Sequence, residues 1–214
     1  MKNNNLTFYL ATLQKLFYLC SMSVEILNKL LPENALLFIK KWLGNHQCHI
    51  KITRGRQSKL GDYRLMPDKS HLISINGNLE PELFFFVFTH EIAHLLAFHE
   101  ERRITAHGKE WKNHFRKLLL ESILVYSDDL QPLIINFAKN PKANFMSSPE
   151  LVKYFDKKDS ENQIYVEELF IGEEFIYENR RYKVEEKKKK RYLCKNLHTG
   201  RMYLFKSCAK VEKL

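Results

Sequence analysis

The sequence contains few cysteines, and their positions do not form a metal-binding or disulfide framework. Four cysteines are scattered over 214 residues, at Cys20, Cys48, Cys194 and Cys208. No Cys-x-x-Cys pair occurs, which argues against a structural zinc held by thiolates. Scattered single thiols suit a reducing compartment, so we expect a cytoplasmic protein in which each cysteine packs as a small buried hydrophobic residue.

The N-terminal stretch does not have the sequence pattern that predicts a signal peptide or a membrane span. Apolar residues recur at helical spacing from Leu6 to Cys20, but Gln14 and Lys15 interrupt the run and no small-residue cleavage site follows. We therefore predict a helical segment over residues 1–31 and no contact with a membrane. At 214 residues with 44% hydrophobic content, the chain is long enough to bury a core, and we expect a monomer.

The most informative motif lies in the middle of the chain, where residues 90–94 read His-Glu-Ile-Ala-His. On a helix, residues four apart project from one face, so His90 and His94 can bind one metal ion beside Glu91. The flanking residues are apolar almost all round, which predicts a buried helix. Because burying unpaired ionisable groups is costly, a metal that takes both imidazoles would remove that cost. The motif predicts one zinc ion, although a coincidental match to so short a pattern is the alternative.

Three residues are candidates for the third protein ligand of this zinc. His107 lies where a polar connection ends and a new amphipathic helix opens, so it can point back at the first helix. Glu121, on that following helix, is the second candidate, and His114 is a third that suits a solvated position better. His99 follows His94 by five residues, about 140° round the helix, and therefore faces away from the metal.

These residues resemble the SprT-like zinc metallopeptidase family. The resemblance rests on a β-rich region ending at Ile73–Asn76, on the His-Glu-x-x-His helix, and on a later His-Gly pair followed closely by Trp111. It covers about residues 32–125. It implies that His90, His94 and His107 are the zinc ligands and that Glu91 is the catalytic base.

The resemblance also carries an expected activity and one departure from the family pattern. It implies an endopeptidase that hydrolyses proteins at nucleic acid, with DNA–protein crosslinks as the substrate class. Many members carry a four-cysteine zinc ribbon after the protease domain, whereas this chain has only Cys194 and Cys208 there. No ribbon can form, so a second structural zinc is not expected.

The predicted fold class is α+β, with a zincin-like minimal metalloprotease core followed by a small C-terminal β domain. In the core, residues 32–139, helices pack on a three-stranded sheet. The chain then runs through a linker at 140–163 into a basic β domain at 164–214. The core strands are expected at residues 49–53, 61–66 and 71–75 after a helix at 36–43, and the β domain at 174–177, 181–184, 191–194 and 202–205.

The formal charge of +10 is concentrated near the C-terminus. Residues 172–214 contain thirteen Lys and Arg residues against six acids, a surplus of seven positive charges that makes this region a candidate polyanion-binding module. The alternative is a solvated hairpin tip with aromatic residues in the core. The candidate nucleic-acid contacts are Lys187, Lys188, Lys189, Lys190 and Arg191, interleaved with the rings of Tyr182, Tyr192, Tyr203 and Phe205.

Two functional hypotheses follow from the sequence. The first is a zinc-dependent endopeptidase that cleaves protein or peptide substrates and is brought to nucleic acid by the basic β domain. A sheet edge beside the metal helix would bind an extended substrate as an added strand. The second is a nucleic-acid-associated binding or regulatory protein whose zinc is structural and which catalyses no reaction.

Overall fold

The structure is a computed structural model that describes residues 26–56, 58–100, 105–144, 147–156 and 163–214. Most of the predicted N-terminal helical segment therefore lies outside the described residues. The chain divides into two compact units, the first ending at Ala143 and the second beginning at Asn144. This division falls inside the predicted linker. Helices with a small sheet in the first unit and a separate sheet in the second confirm the α+β class.

The first unit contains four helices and three strands whose bounds are known, together with a helical stretch at residues 26–30. They are α1 (Ala35–Leu43), β1 (Cys48–Thr53), β2 (Gly61–Leu65), β3 (His71–Asn76), α2 (Pro81–Glu100), α3 (Lys109–Glu121) and α4 (Gln131–Ala138), with a 3-10 turn at Ile123–Val125. The strands start and end within one residue of the predicted positions. Helix α1 ends at Gly44, which adopts a φ of 48° and donates its N–H to the carbonyl of Lys40.

The sheet of the first unit has the strand order β1-β3-β2. Strand β1 runs parallel to β3, and β2 runs antiparallel to it, with Tyr63 opposite Ile73. The central strand is buried because Ile73 and Ile75 face the helices. The N–H of Asn76 donates to the carbonyl of Leu60, and the N–H of Met66 donates to the carbonyl of Ser70. Hydrogen-bonded and non-hydrogen-bonded pairs alternate along an antiparallel ladder. These two bonds therefore show which backbone groups of β2 point away from β3.

Helix α2 is the core of the first unit, as its apolar sequence predicts. Phe84, Phe85, Phe86 and Phe88 are fully buried along it. By length and hydropathy the helix would also pass as a membrane span, but 67% of its apolar window is buried inside the protein. Burial on nearly every face explains why the motif residues of this helix lie in a protein interior.

The second unit is an antiparallel sheet of six strands that follows a short helix. Its elements are α5 (Pro149–Phe155), β4 (Gln163–Tyr165), a 3-10 turn at Val166–Glu168, β5 (Glu174–Tyr177), β6 (Arg180–Lys187), β7 (Arg191–Asn196), β8 (Met202–Lys206) and β9 (Lys210–Lys213). The order is β4-β9-β5-β6-β7-β8. The four predicted β segments are confirmed, whereas β4 and β9 were not predicted from the sequence. An apolar cluster that includes Phe175, Val184 and Val211 fills one face of the sheet.

Candidate metal centre

Three imidazole rings converge at the middle of helix α2. The Nε2 atom of His90 lies 3.3 Å from that of His94 and 3.1 Å from that of His107, and the last two are 3.0 Å apart. These three residues, which we call the metal triad, meet the distance requirement for holding one metal ion. The structure therefore brings together the three histidines that the sequence singled out.

His107 reaches the other two rings because of the turn that precedes α3. It adopts a φ of 60°, in the left-handed region, which directs its side chain back toward α2. The next residue is Gly108, where an added Cβ would lie 2.9 Å from the carbonyl oxygen of Thr105. That close backbone approach explains why glycine follows the histidine.

Trp111 packs against all three members of the metal triad. Its ring centroid lies 4.7 Å from that of His90, 5.5 Å from that of His94 and 4.6 Å from that of His107. The indole is fully buried, and its N–H donates to the carbonyl of His90 at 3.3 Å. This aromatic wall excludes water from one side of the site and restricts the rotation of the rings.

The environment of the metal triad favours neutral imidazoles. Burial lowers the pKa of His90 well below its ordinary value, with the neighbouring histidines adding to the effect. Burial and His107 lower the pKa of His94 to about 4, and burial also lowers the pKa of His107. Neutral imidazole is the form that binds a metal, so no proton has to be displaced at neutral pH.

Glu91 is the acidic residue of the motif, and it is buried beside the sheet with 6% of its surface exposed. Burial raises the pKa of its carboxyl group to about 8, and the negative charge of Asp62 adds to the rise. The backbone of Tyr63 hydrogen-bonds to the carboxylate and opposes this shift. A carboxyl group with a pKa near neutrality is suited to accept a proton and to return it.

Strand β2 holds Glu91 in place by direct contact. A Cβ atom added to Gly61 would lie 2.5 Å from Oε1 of Glu91 and 2.7 Å from Cγ1 of Val87. Only a residue without a side chain leaves room for the carboxylate here. The roles of Gly61 and Tyr63 could not be recognised from the sequence. Gly61 leaves space for the carboxylate because it has no side chain, and Tyr63 uses its backbone and not its side chain.

The other ligand candidates lie elsewhere in the first unit. Glu121 forms an ion pair with Lys41 and accepts a hydrogen bond from the indole of Trp42 at 3.2 Å. Its carboxylate therefore joins α3 to α1, and the ion pair lowers its pKa. His114 lies 2.7 Å from the carboxylate of Glu100. Neither belongs to the metal triad.

The donor set of the triad fits zinc. Two zinc–nitrogen bonds of roughly 2.0–2.1 Å in tetrahedral geometry separate the nitrogens by about 3.4 Å, close to the 3.0–3.3 Å found between the triad's nitrogens. Three protein ligands with one open position is the arrangement of catalytic zinc sites, whereas structural sites have four. The arrangement can therefore bind zinc and leave room for a substrate or water.

Comparison with known proteins agrees with the geometry. Residues 32–124 match the sequence pattern of the SprT-like family. This region is therefore similar to a SprT-like domain. The match includes the whole metal triad, and the family is metallopeptidase-like. No curated protein and no solved structure matches the chain significantly. The second unit lies outside the matched residues.

The candidate nucleic-acid residues of the second unit lie on an exposed turn. Lys187 ends β6, Arg191 begins β7, and the three lysines between them are exposed. We call residues 187–191 the lysine turn. The rings of Tyr182, Tyr192 and Phe205 are buried in the sheet's core, which agrees for these three with the alternative that the aromatic residues belong to the core.

Proposed function

We propose that the protein is a zinc-dependent endopeptidase whose catalytic base is Glu91. The observation that carries the proposal is the convergence of three neutral imidazoles, whose Nε2 atoms lie within 3.0–3.3 Å of one another. Glu91, which follows His90 on α2, adds a buried carboxyl group. The match of residues 32–124 to the SprT-like family supports the same reaction. A purely structural zinc would have no need of a carboxyl group that is kept beside it at the cost of burial.

Each residue of the site has a separate task in this reaction. Zinc held by the metal triad would supply Lewis-acid activation of water and of the scissile carbonyl. Glu91 takes the proton from the attacking water and passes it to the nitrogen of the leaving amine, which balances the hydrolysis of one peptide bond. The Tyr63 backbone and Gly61 fix the position of Glu91, and Trp111 shields the ligands.

Strand β2 offers a binding edge for an extended substrate. It pairs with β3 on one side, and the ladder directs the backbone groups of Gly61, Tyr63 and Leu65 away from β3. The N–H of Tyr63 is bonded to Glu91, so a substrate strand would pair with the other outward groups, which are those of Gly61 and Leu65 and the carbonyl of Tyr63. A substrate that adds here as a strand is held mainly by main-chain hydrogen bonds, so we expect cleavage with broad sequence specificity.

The experiment that tests the reaction compares Glu91→Gln with the wild type on an unfolded protein substrate. We expect the variant to retain zinc and to lose roughly a hundredfold to ten-thousandfold in kcat, because no group remains to move the proton. Glu100→Gln is the matched control, since Glu100 lies on the same helix and pairs with His114. Full activity in Glu91→Gln would contradict the assigned mechanism.

A variant of the edge strand tests the proposed mode of substrate binding. Leu65→Pro removes one outward N–H of β2 without removing a hydrogen bond to β3. We expect KM to rise severalfold while kcat changes little, and Leu65→Ala, which keeps the N–H, should behave as the wild type. An equal rise of KM in both variants would assign the effect to the side chain instead.

We further propose that the basic second unit brings the peptidase to a nucleic acid, with proteins bound or crosslinked there as substrates. The surplus of seven positive charges over residues 172–214 and the exposed lysine turn support this. The burial of Tyr182, Tyr192 and Phe205 favours contacts to phosphates over stacking on bases, so we expect binding without sequence preference.

A salt titration tests this targeting. Binding to duplex DNA should weaken steeply with salt, and replacing Lys188, Lys189 and Lys190 by alanine should reduce the salt slope by about 0.9 for each phosphate that is no longer neutralised. Replacing Lys51, Lys69 and Lys109, which are exposed in the first unit, is the matched control. Binding to nucleic acid without cleavage of any protein would favour the non-catalytic binding protein as the function.

A further inference from the structure

A second group of histidines lies at the C-terminal end of α2, apart from the metal triad. It consists of His46, which follows α1, His71 at the start of β3, and His99 in the last turn of α2. We call it the second histidine cluster. The Nε2 atoms of His71 and His99 are 2.9 Å apart, and the His46 ring packs on that of His99 with the centroids 4.1 Å apart.

We propose that the second histidine cluster is a second binding site for a divalent transition metal such as zinc. His71 and His99 would be two of its ligands through their Nε2 atoms, and His46 would be the third. The proposal is independent of peptide hydrolysis, since none of these residues belongs to the metal triad or contacts Glu91 in the structure.

The geometry of the His71–His99 pair resembles that of the metal triad. Its nitrogen separation of 2.9 Å is close to the 3.0 Å between His94 and His107, and both need to widen by a few tenths of an ångström to reach about 3.4 Å. His46 must turn about its side-chain bonds, because its nitrogens do not yet converge with the other two. It can do so because it lies at the half-exposed edge of the cluster.

His71 has the partner that a metal ligand requires at its second ring nitrogen. Its Nδ1 atom lies 2.9 Å from the hydroxyl oxygen of Tyr63. When Nδ1 donates to that oxygen, the proton is fixed there, and Nε2 keeps its lone pair for a metal. The residue is buried with 4% of its surface exposed, so its ring is already held in this orientation by packing.

The cluster is open enough for an ion to enter, and two of its rings favour the neutral form. Burial and the neighbouring His99 lower the pKa of both His46 and His71, which leaves their lone pairs available at neutral pH. His99 is exposed and His46 half-exposed, so solvent reaches the nitrogens from one side. Imidazole ligands suit zinc, copper and nickel and bind magnesium and calcium poorly.

Tyr63 connects this site to the catalytic one. Its hydroxyl contacts His71, its ring lies parallel to that of His94 at a centroid distance of 6.0 Å, and its backbone hydrogen-bonds to Glu91. The two metal positions are therefore neighbours that share one residue.

A stepwise zinc titration of the full chain tests the proposal, with bound metal measured by mass spectrometry after equilibrium dialysis. We expect the wild type to bind two zinc ions and His99→Ala to bind one, which it keeps in the metal triad. His46→Ala should bind the second ion at least tenfold more weakly. His114→Ala is the matched control and should bind two, because His114 is a histidine of α3 that pairs with Glu100.

The outcomes separate this site from the first one. His107→Ala should lose the ion of the metal triad and keep the ion of the second histidine cluster, so that failure of either site is seen on its own. The 2.9 Å separation also suits a hydrogen bond between two neutral rings. The proposal would be overturned if the wild type bound only one ion, or if His99→Ala still bound two. The contact between His71 and His99 would then be a hydrogen bond and not part of a metal site.

Discussion

The two units of the molecule bury polar groups to very different extents. In the described part of the chain eight polar or charged residues are buried, and seven of them lie in the first unit. They are Ser70, His71, Ser74, Asn76, Thr89, Glu91 and Ser122, against Asn196 alone in the second unit. Because burial of polar groups is costly, their concentration along β3 and α2 supports the proposal that the reaction takes place in the first unit.

Asn196, the one buried polar residue in the described part of the second unit, has a structural task. The side-chain oxygen of Asn196 accepts hydrogen bonds from the backbone of His198 and Thr199, which forms the turn before β8. The rest of that core is apolar or aromatic. Any function of the second unit is therefore expected from the charged groups on its surface. The proposed function of the first unit depends on polar groups in its interior.

The largest expected effect concerns the cost of burying Glu91 when zinc is absent. The pKa of Glu91 is about 8 in the folded chain against an ordinary value of 4.5, so the folded state binds the proton more tightly than the unfolded state. The zinc-free protein should therefore lose stability as the pH rises from about 4.5 to about 8, by at most about 5 kcal/mol.

Chemical denaturation of zinc-free wild type and zinc-free Glu91→Gln at both ends of this range measures that loss. The variant has no carboxyl group to titrate, and the histidines are common to both proteins, so their contribution cancels. The stability difference between the two should grow with pH in favour of the variant. If the stability difference between the wild type and Glu91→Gln did not change with pH, Glu91 would be solvated. The interiors of the two units would then differ less in polarity.

A core substitution in the second unit tests whether the two units are separate in stability. Phe175 is fully buried, so Phe175→Ala should destabilise that unit by about 3–5 kcal/mol. Both tryptophans, Trp42 and Trp111, lie in the first unit, so their fluorescence reports on that unit alone. We expect the fluorescence transition in urea to stay unchanged while the loss of β structure, followed by circular dichroism, moves to lower urea concentration.

The control for this substitution is Phe170→Ala, which removes a ring that is 77% exposed and should change stability by less than about 0.5 kcal/mol. If Phe175→Ala moved the fluorescence transition and the circular dichroism transition together, the two units would unfold as one. Their stabilities would then be coupled in spite of their different interiors.

The smallest expected effect on stability comes from glycine substitutions that differ between the units. Gly61→Ala places a methyl group against Glu91 and Val87 and should cost about 1–3 kcal/mol. The displaced carboxylate should also lower kcat roughly tenfold to a hundredfold, with zinc retained. Gly200 has a φ of 71° and open space around its Cβ position, so Gly200→Ala should cost about 1 kcal/mol without an effect on hydrolysis.

Peptidase kinetics and metal analysis on Gly61→Ala and Gly200→Ala separate these expectations. Unchanged kcat in Gly61→Ala would show that strand β2 does not position the catalytic base. A loss of activity in Gly200→Ala would show that the second unit takes part in the reaction, against the division of tasks between the two units.

The elements with strong local patterns could be predicted from the sequence. The apolar residues around the motif predicted the buried helix α2, and Gly44 predicted the end of α1. By contrast, β4 has three residues and β9 reads Lys-Val-Glu-Lys with one buried side chain. Neither has a local signal, because both are strands by virtue of pairing with partners far along the chain.

In the candidate site too, the residues with a local sequence pattern could be predicted, and those joined by distant contacts could not. The spacing of His90 and His94 predicted their convergence, since four residues make about one helical turn. The contact between His71 and His99 joins residues 28 positions apart, and sequence spacing carries no information on such a pair. The bond from Tyr63 to Glu91 uses a backbone group that every residue except proline has, so no residue type could reveal it.

The most direct test of the three-histidine centre is the zinc content of purified chains after dialysis into zinc-free buffer, measured by mass spectrometry. Wild type, His107→Ala and Glu121→Ala should be compared in one preparation. We predict that His107→Ala holds one zinc ion fewer than the wild type, the ion of the metal triad, and that Glu121→Ala holds as many as the wild type. A zinc content of His107→Ala equal to that of the wild type, or a loss of zinc from Glu121→Ala, would contradict the three-histidine centre on which the proposed peptidase depends.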